Sequence, residues 1–273
     1  MKTRILVLGA NGKTGRKVIQ HLQQKEVEYR IGSRKANPAF DWGNPNSWED
    51  ALEDISHVYI TFQPDLAVPG AKDIITSFTS LAVKKGVNKL VLLSGRGENE
   101  AQECEQIVIK AGVAWTIVRA GWFNQNFSES FLLDPIKAGV VALPNTEAKE
   151  PFVDTGDIAE VATASLLDEK HNGQVYELTG PKLLSFKDAI SEISKATGRE
   201  IKLIPVSVEE YCNILKDHNV PEGYIWLLNY LFTQVFGQNS HTANGVEQAL
   251  GRPAKDFTQY VKEIAATGVW NEL

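Results

Sequence analysis

The chain has 273 residues and carries 28 lysines and arginines against 34 aspartates and glutamates, for a formal net charge of −6. With 43% apolar and 23% charged residues, it has the balance of a globule that buries a full core, as one large domain or two unequal ones at roughly 150 residues each. The acidity excludes a general polyanion-binding surface, which needs clustered basic residues, and two cysteines, Cys104 and Cys212, exclude a disulfide framework or a four-cysteine zinc site.

In chain order, Thr3 to Leu8 reads as a strand buried on both faces. Gly12 to Lys25 is a helix with Val18, Ile19 and Leu22 on one side, and Val27 to Gly32 is a second strand. Phe40-Asp41-Trp42 reads as a short third strand, followed by a helix over Ser47 to Leu52. His57 to Phe62 is a strand, Pro69 to Lys85 a helix ending at Gly86, and Lys89 to Leu93 a strand. Glu100 to Lys110 is a helix ending at Gly112, and Ala114 to Val118 a strand. Strands separated by single helices require right-handed crossovers and a parallel sheet.

The second half is less regular. Thr155 to about Leu167 is helical and Gln174 to Leu178 extended. Ser185 with Asp188 three residues on reads as a capping box, for a helix that stops at Gly198. Ile201 to Pro205 is a strand, Ser207 to Lys216 a helix, and the remainder mostly helical. The apolar stretch Tyr224 to Phe236 has 13 residues, well short of the ~20 that span a bilayer. It reads first as a buried helix; a lid or wall over a flat substrate, with Tyr224 and Trp226 facing it, and a dimer contact are the other two readings. The apolar run Ile5 to Ala10 is too short for a signal-peptide core, and the expected setting is a reducing cytoplasm.

The most informative segment is Gly9-Ala10-Asn11-Gly12-Lys13-Thr14-Gly15, a glycine turn between the first strand and the first helix. A pyrophosphate must reach the free N–H groups at a helix start, and Cβ atoms in the turn would hold it away. Gly9 permits the sharp turn, Gly12 the close approach, and Gly15 close packing of helix on strand. The expected architecture is therefore α/β: a doubly wound parallel-sheet Rossmann fold over residues 1–150, with a smaller, partly interleaved C-terminal α/β lobe over 151–273. The second strand ends Ser33-Arg34-Lys35, without the acid that an NAD-preferring site places on the ribose diol. Those donors, with Lys13, suit a 2′-phosphate, which favours NADP(H) over NAD(H).

Other strand ends supply the rest of the expected cofactor wall: Asp41 and Trp42 for adenine; Thr61, Phe62 and Gln63 for the adenosine ribose and nicotinamide; Ser94 for a nicotinamide ribose or substrate oxygen; and Gly121 and Trp122 beside the ring. Phe123, Asn124 and Asn126 are candidates for the substrate wall.

These segments resemble the NmrA-like branch of atypical short-chain dehydrogenases. The resemblance rests on the Gly9–Gly15 loop, Ser33-Arg34, Thr116 to Asn126, Phe152 to Ala159 and Tyr176 to Pro181. Within that branch, Phe40 to Trp48 and Gly180 to Phe186 are similar to festuclavine and agroclavine dehydrogenases. The branch also holds NADPH-dependent quinone reductases and non-catalytic regulators that sense the cofactor, so the resemblance implies the fold and the cofactor rather than one substrate.

One departure bears on chemistry. Short-chain dehydrogenases of the usual type pair Tyr with Lys four residues on, and the lysine eases proton transfer to a carbonyl oxygen. None of the seven tyrosines here has such a lysine; Tyr211 misses by one, with Leu215 at that place and Lys216 next. Hydride transfer to a quinone, enone or preformed iminium needs less help, because the acceptor is already electrophilic. The expectation is an NADP(H)-dependent oxidoreductase acting on a small flat or conjugated acceptor, with no catalytic acid named. The alternative is a non-catalytic, NADP(H)-reading regulator acting through a protein partner. The five histidines show no metal-binding spacing, Cys104 between Glu103 and Glu105 is a poor nucleophile, and Asp157 suits the first turn of a helix. Nucleic acid and membrane are not expected partners, and the expected state is a monomer or homodimer.

Overall fold

The computed structural model describes residues 3–271. In chain order the elements are β1 (Arg4–Leu8), α1 (Gly15–Gln24), β2 (Glu28–Gly32), α2 (Trp48–Ala51), β3 (His57–Ile60), α3 (Ala71–Lys84), β4 (Lys89–Gly95), α4 (Asn99–Ile109) and β5 (Ala114–Ala120). They continue as α5 (Asn126–Glu129), α6 (Leu133–Lys137), β6 (Val140–Leu143), α7 (Thr155–Leu167), β7 (Gln174–Leu178), α8 (Phe186–Thr197), β8 (Lys202–Pro205), α9 (Val208–Asp217), α10 (Glu222–Tyr230), α11 (Gly245–Leu250) and α12 (Phe257–Ala265). The chain divides into two compact units. The first runs to Ala120 and adds Thr155–Leu178 and Gly245–Arg252; the second holds Gly121–Asp154, Thr179–Asn244 and the chain from Pro253.

The first unit is a six-stranded sheet in the order β2-β1-β3-β4-β5-β7, with every pair parallel. Ile5, Leu6, Val7 and Leu8 of β1 are fully buried, as a central parallel strand covered on both faces requires. Helices α1 and α7 pack on each other, α7 lies on β3, β4 and β5, and α3 and α4 form a second pair. The strand order turns back at β1, between β2 and β3, and the crevice at such a switch is where open α/β sheets bind ligands.

The strand expected at Phe40–Trp42 does not form. Its backbone is satisfied by side chains instead of a ladder: Asp41 N–H donates to Ser47 Oγ, and Trp48 Nε1 donates to the Asp41 carbonyl at 2.8 Å. Phe40 is buried beside Trp42, Trp48 and Phe78, so aromatic burial explains the apolar pattern there. Strands β4 and β5 each run two residues further than expected, because Ser94 pairs with Arg119 and Gly95 with Ala120.

In the second unit β6 and β8 pair in parallel, Val140 opposite Lys202 through Leu143 opposite Pro205. Two capping boxes start helices as their sequences demand: Ser185 with Asp188 for α8, and Ser207 with Glu210 for α9. Gly198 ends α8 in the left-handed conformation at φ 66°. The core is strongly aromatic, with Phe127, Phe152, Phe186, Phe232, Phe236, Phe257 and Tyr260 packed together. The Tyr224–Phe236 stretch is not buried all round. It forms α10 and then a π-helical turn over Leu231–Val235; Ile225, Leu227, Leu228 and Phe232 are buried, whereas Tyr224 is 51% and Trp226 41% exposed. Among the described residues, no helix is long and apolar enough to cross a membrane, and no group of three or more His, Cys, Asp or Glu is placed to hold a metal ion.

Candidate dinucleotide site

Gly9 leaves β1 with φ +62°, and a Cβ there would lie 2.1 Å from Thr61 Oγ1. Thr61 follows β3, and its hydroxyl donates to the Leu8 carbonyl at 3.2 Å, so the ends of the two strands are tied together. The turn closes through Gly12 N–H to the Gly9 carbonyl at 2.8 Å. Gly15, the first residue of α1, sits so close that its Cβ would meet the Gly9 carbonyl oxygen at 2.3 Å; only a glycine lets the helix start against its own loop. Gln63 Nε2 lies 3.9 Å from where a Gly12 Cβ would be. Gly9, Gly12, Gly15, Thr61 and Gln63 are thus brought to one place.

The start of α1 has no side-chain cap of its own: Thr14 occupies the N-cap, and the first turn holds no acid. The Thr14 hydroxyl instead accepts from Tyr59 Oη at 3.0 Å. The Arg16, Lys17 and Val18 N–H groups are taken by the Gly12 and Thr14 carbonyls, and with no acid in the first turn the positive end of the helix dipole suits a pyrophosphate. At the end of β2, Ser33 is half-buried, and Arg34 and Lys35 are exposed with no ion pair among the described residues. The Ser33 carbonyl accepts from Ala36 and Phe40 N–H, which holds this basic loop closed. Trp42 Nε1 donates to the Thr61 carbonyl at 3.0 Å, and its ring lies 5.1 Å from Phe62. The Asp41 carboxylate accepts from Gly43 N–H at 3.0 Å.

Ser94, at the carboxyl end of β4, donates its proton at 2.6 Å to Glu105 Oε1. Glu105 is in turn gripped by Arg119 Nε at 2.9 Å and Nη2 at 2.5 Å. The Ser94 hydroxyl is left free only to accept. The triad is absent from the sequence reading, although a signal exists: Glu105 falls on the same stripe of α4 as Ala101, Cys104 and Val108, all buried. Burial, and then the Glu103 charge, push the Cys104 thiol up to about 11, so it stays protonated and inert. Asp157 is in the first turn of α7 and meets Arg252 at 2.8 Å.

A second acidic feature also escaped the sequence reading. Burial raises the carboxyl of Asp65, in the loop after β3, and burial and then the Asp65 charge hold Glu98, just before α4, well above the usual carboxylate range. Each looks like a loop acid in isolation; only the pairing of β3 with β4 makes them neighbours.

The remaining candidates lie in the second unit. Trp122 and Phe123 run alongside Val153: Val153 N–H donates to the Trp122 carbonyl and Asn124 N–H to the Val153 carbonyl, both at 2.8 Å. Gln125 Nε2 donates to Asp154 at 2.9 Å, Gly121 opens the segment, and Asn126 begins α5. Asn124 is fully buried, and both its amide oxygen and amide nitrogen lack a partner, as does Trp122 Nε1. The Trp122 ring packs on Phe232 and Phe236 at 5.7 and 5.4 Å. Trp226 instead stacks on Tyr230 at 5.6 Å.

Burial raises the Tyr59, Tyr211 and Tyr260 hydroxyls above the ordinary phenol range, which is the opposite of the lowering that a neighbouring lysine provides.

The NmrA-like family profile matches residues 99–265. The chain belongs to the NmrA-like family. Prestalk A differentiation protein A of Dictyostelium discoideum is 30% identical over 96% of this chain and 92% of its own length. The NAD(P)H azoreductase of Xenophilus azovorans is 26% identical over 96% and 98%, and the agroclavine dehydrogenase of Claviceps fusiformis 27% over 93% and 92%. Among solved structures, the NADPH-dependent quinone oxidoreductase QOR2 of Escherichia coli, complexed with NADPH, superimposes on this NmrA-like chain with a TM-score of 0.79, at 19% identity over 95% and 99% of the two chains. That likeness is one of fold, and it agrees with the parallel sheet and flanking helices described above.

Proposed function

We propose that this NmrA-like protein is an NADP(H)-dependent oxidoreductase that passes hydride to a small flat or conjugated acceptor, such as a quinone, enone or iminium, without a Tyr-x-x-x-Lys pair. The observation that carries the reading is the uncapped start of α1 behind the Gly9–Gly15 turn, next to a β2 end that offers Arg34 and Lys35 and no acid. The names of two relatives, an azoreductase and an agroclavine dehydrogenase, support it.

In this reading the backbone of Gly9 to Gly15, with Lys13, holds the pyrophosphate, and Ser33, Arg34 and Lys35 hold the 2′-phosphate. Asp41, Trp42 and Phe62 line the adenine side. Thr61, Gln63 and Ser94 serve the nicotinamide half, with Ser94 an acceptor because Glu105 takes its proton. Bound there, the reduced dinucleotide supplies the hydride. Phe123, Asn124, Asn126, Tyr224 and Trp226 are assigned to the acceptor. Asn124 is the strongest of these, since an amide buried without partners carries a desolvation cost of about 1–3 kcal/mol that a polar ligand atom would relieve.

The test is to mix the protein with NADPH and a panel of quinones, enones and iminium ions, and follow the absorbance of the reduced cofactor. Turnover of one or more is expected. Arg34→Ala should weaken NADPH by about 10–100-fold, the loss of one charge-assisted pair, while NADH changes little. Equal losses for both cofactors would remove Arg34 from this role. The missing Tyr-x-x-x-Lys pair favours a second reading, a redox-sensing regulator that acts through a protein partner. Tight binding without turnover of any acceptor, with different affinities for NADP+ and NADPH, would establish that reading instead.

A further inference from the structure

Trp122 and Asn124 stand on either side of Phe123 in the second unit. Phe123 is bridged in parallel to Val153. The Trp122 carbonyl accepts from Val153 N–H, and Asn124 N–H donates to the Val153 carbonyl, both at 2.8 Å. Phe123 is therefore extended, and the side chains before and after it leave on the same face. Phe152, just before Val153, shares that face with Trp122: both rings pack on Phe186 and Phe236.

Three polar groups on that face are unmet among the described residues. Trp122 Nε1–H is shut off from solvent and donates to nothing, and the fully buried Asn124 amide has no partner for its oxygen or its nitrogen. A buried indole N–H ordinarily finds an acceptor, and a buried amide without partners is costly to keep. The chain does satisfy the next residue: Gln125 Nε2 donates to Asp154 at 2.9 Å. The rings around Trp122, those of Phe186, Phe232 and Phe236 at 5.4–6.0 Å, carry no lone pair. Trp122 is only half-buried, so the segment reaches the surface of its unit.

We propose that Trp122 Nε1–H and the Asn124 amide N–H form a two-donor site for the carbonyl oxygen of a flat conjugated ligand. A carbonyl oxygen has two lone pairs and can accept from both; an iminium nitrogen has none to offer. Taking that ligand to be the hydride acceptor rests on the oxidoreductase reading, and within it the site selects quinones and enones over iminium ions. When a hydride adds to the conjugated carbon, a C–H bond forms, the C=O π bond opens and the electron pair settles on the oxygen, which then takes a proton from water. Two donors hold that charged oxygen more strongly than the neutral carbonyl, so they favour the step as well as the binding.

The test uses the full chain as wild type, Trp122→Phe and Asn124→Leu. Calorimetric titration without cofactor measures naphthoquinone and, as a flat iminium of similar size, the N-methylquinolinium cation. Wild type should bind the naphthoquinone at least about 10-fold more tightly than the cation, and each substitution should weaken the naphthoquinone about 10-fold, the worth of one hydrogen bond. The urea midpoint of Asn124→Leu should equal or exceed that of wild type, because an amide without partners gives way to an apolar side chain. A lower midpoint would make Asn124 a structural amide and overturn the proposal, as would one naphthoquinone affinity shared by all three proteins. Turnover with NADPH separates the two readings. Reduction of the cation by a wild type with no affinity for naphthoquinone overturns the carbonyl site alone. Naphthoquinone bound as expected, with neither compound reduced, overturns the oxidoreductase reading alone.

Discussion

The buried faces of the two units are made of different material. In the first, the strands carry aliphatic side chains at regular positions, Leu6 and Leu8, Val58 and Ile60, Leu90 and Leu92, and the central strands bury both faces. In the second, rings from segments far apart in the chain converge: Phe127, Phe152, Phe186, Phe236 and Phe257 lie within 4.6–6.4 Å of one another wherever they pair. A sheet core built from runs of neighbouring residues announces itself locally. An aromatic core assembled from scattered single positions does not, and the candidate groups divide the same way: a contiguous glycine turn in one unit, and in the other a buried Asn124 whose amide has no partner and whose backbone N–H is held by Val153.

Mutations can break that contrast. The largest effect expected is Phe186→Ala, which removes a ring at the centre of the aromatic cluster and should cost about 3–5 kcal/mol, read as a lower urea midpoint. A change of under 1 kcal/mol would mean that the second unit is not held by its rings. Next is Gly9→Ala. With φ +62° and Thr61 at 2.1 Å, it should weaken NADPH binding about 100-fold through strain of about 1–3 kcal/mol, measured by calorimetric titration. Tight binding retained would show that the loop is not the anchor.

The smallest effect is pH-dependent. Lys149 and the Ser185 cap hold Asp188 down at about 2. A depressed carboxyl contributes stability above its unfolded value and loses it as pH falls through the folded one. Asp188 is 41% exposed, so solvent screening keeps the contribution under about 1 kcal/mol. The stability gap between wild type and Asp188→Asn should be present at pH 7 and close between about pH 5 and pH 2. A gap that stays constant with pH would assign Asp188 a packing role instead.

What could be read in the residues follows from how far apart the deciding partners are. The Gly9–Gly15 turn, the Thr155–Leu167 helix, the Gln174–Leu178 strand and the Ser185 capping box each depend on neighbours a few residues away, and each is found as expected. Phe40–Trp42 has the composition of a strand, but Ser47 and Trp48 claim its backbone. β6 was not foreseen: four residues between Gly139 and Pro144 carry little pattern, and their partner is β8, some sixty residues on. Of the candidate site, the phosphate turn and the basic β2 end are local. The Ser94–Glu105–Arg119 triad exists only because β4, α4 and β5 come together.

The interleaving of the chain has a consequence for how it is made. The backbone passes from one unit to the other at five places, so neither can be cut out as a single segment or exchanged with a relative at one splice. Strand β5 ends at Ala120, yet its outer neighbour β7 is complete only at Leu178. At about 5–20 residues per second, the nascent sheet waits on the order of 3–12 s with that edge bare. For that time β5 keeps an unpaired row of backbone groups, the feature by which a strand edge pairs with another chain.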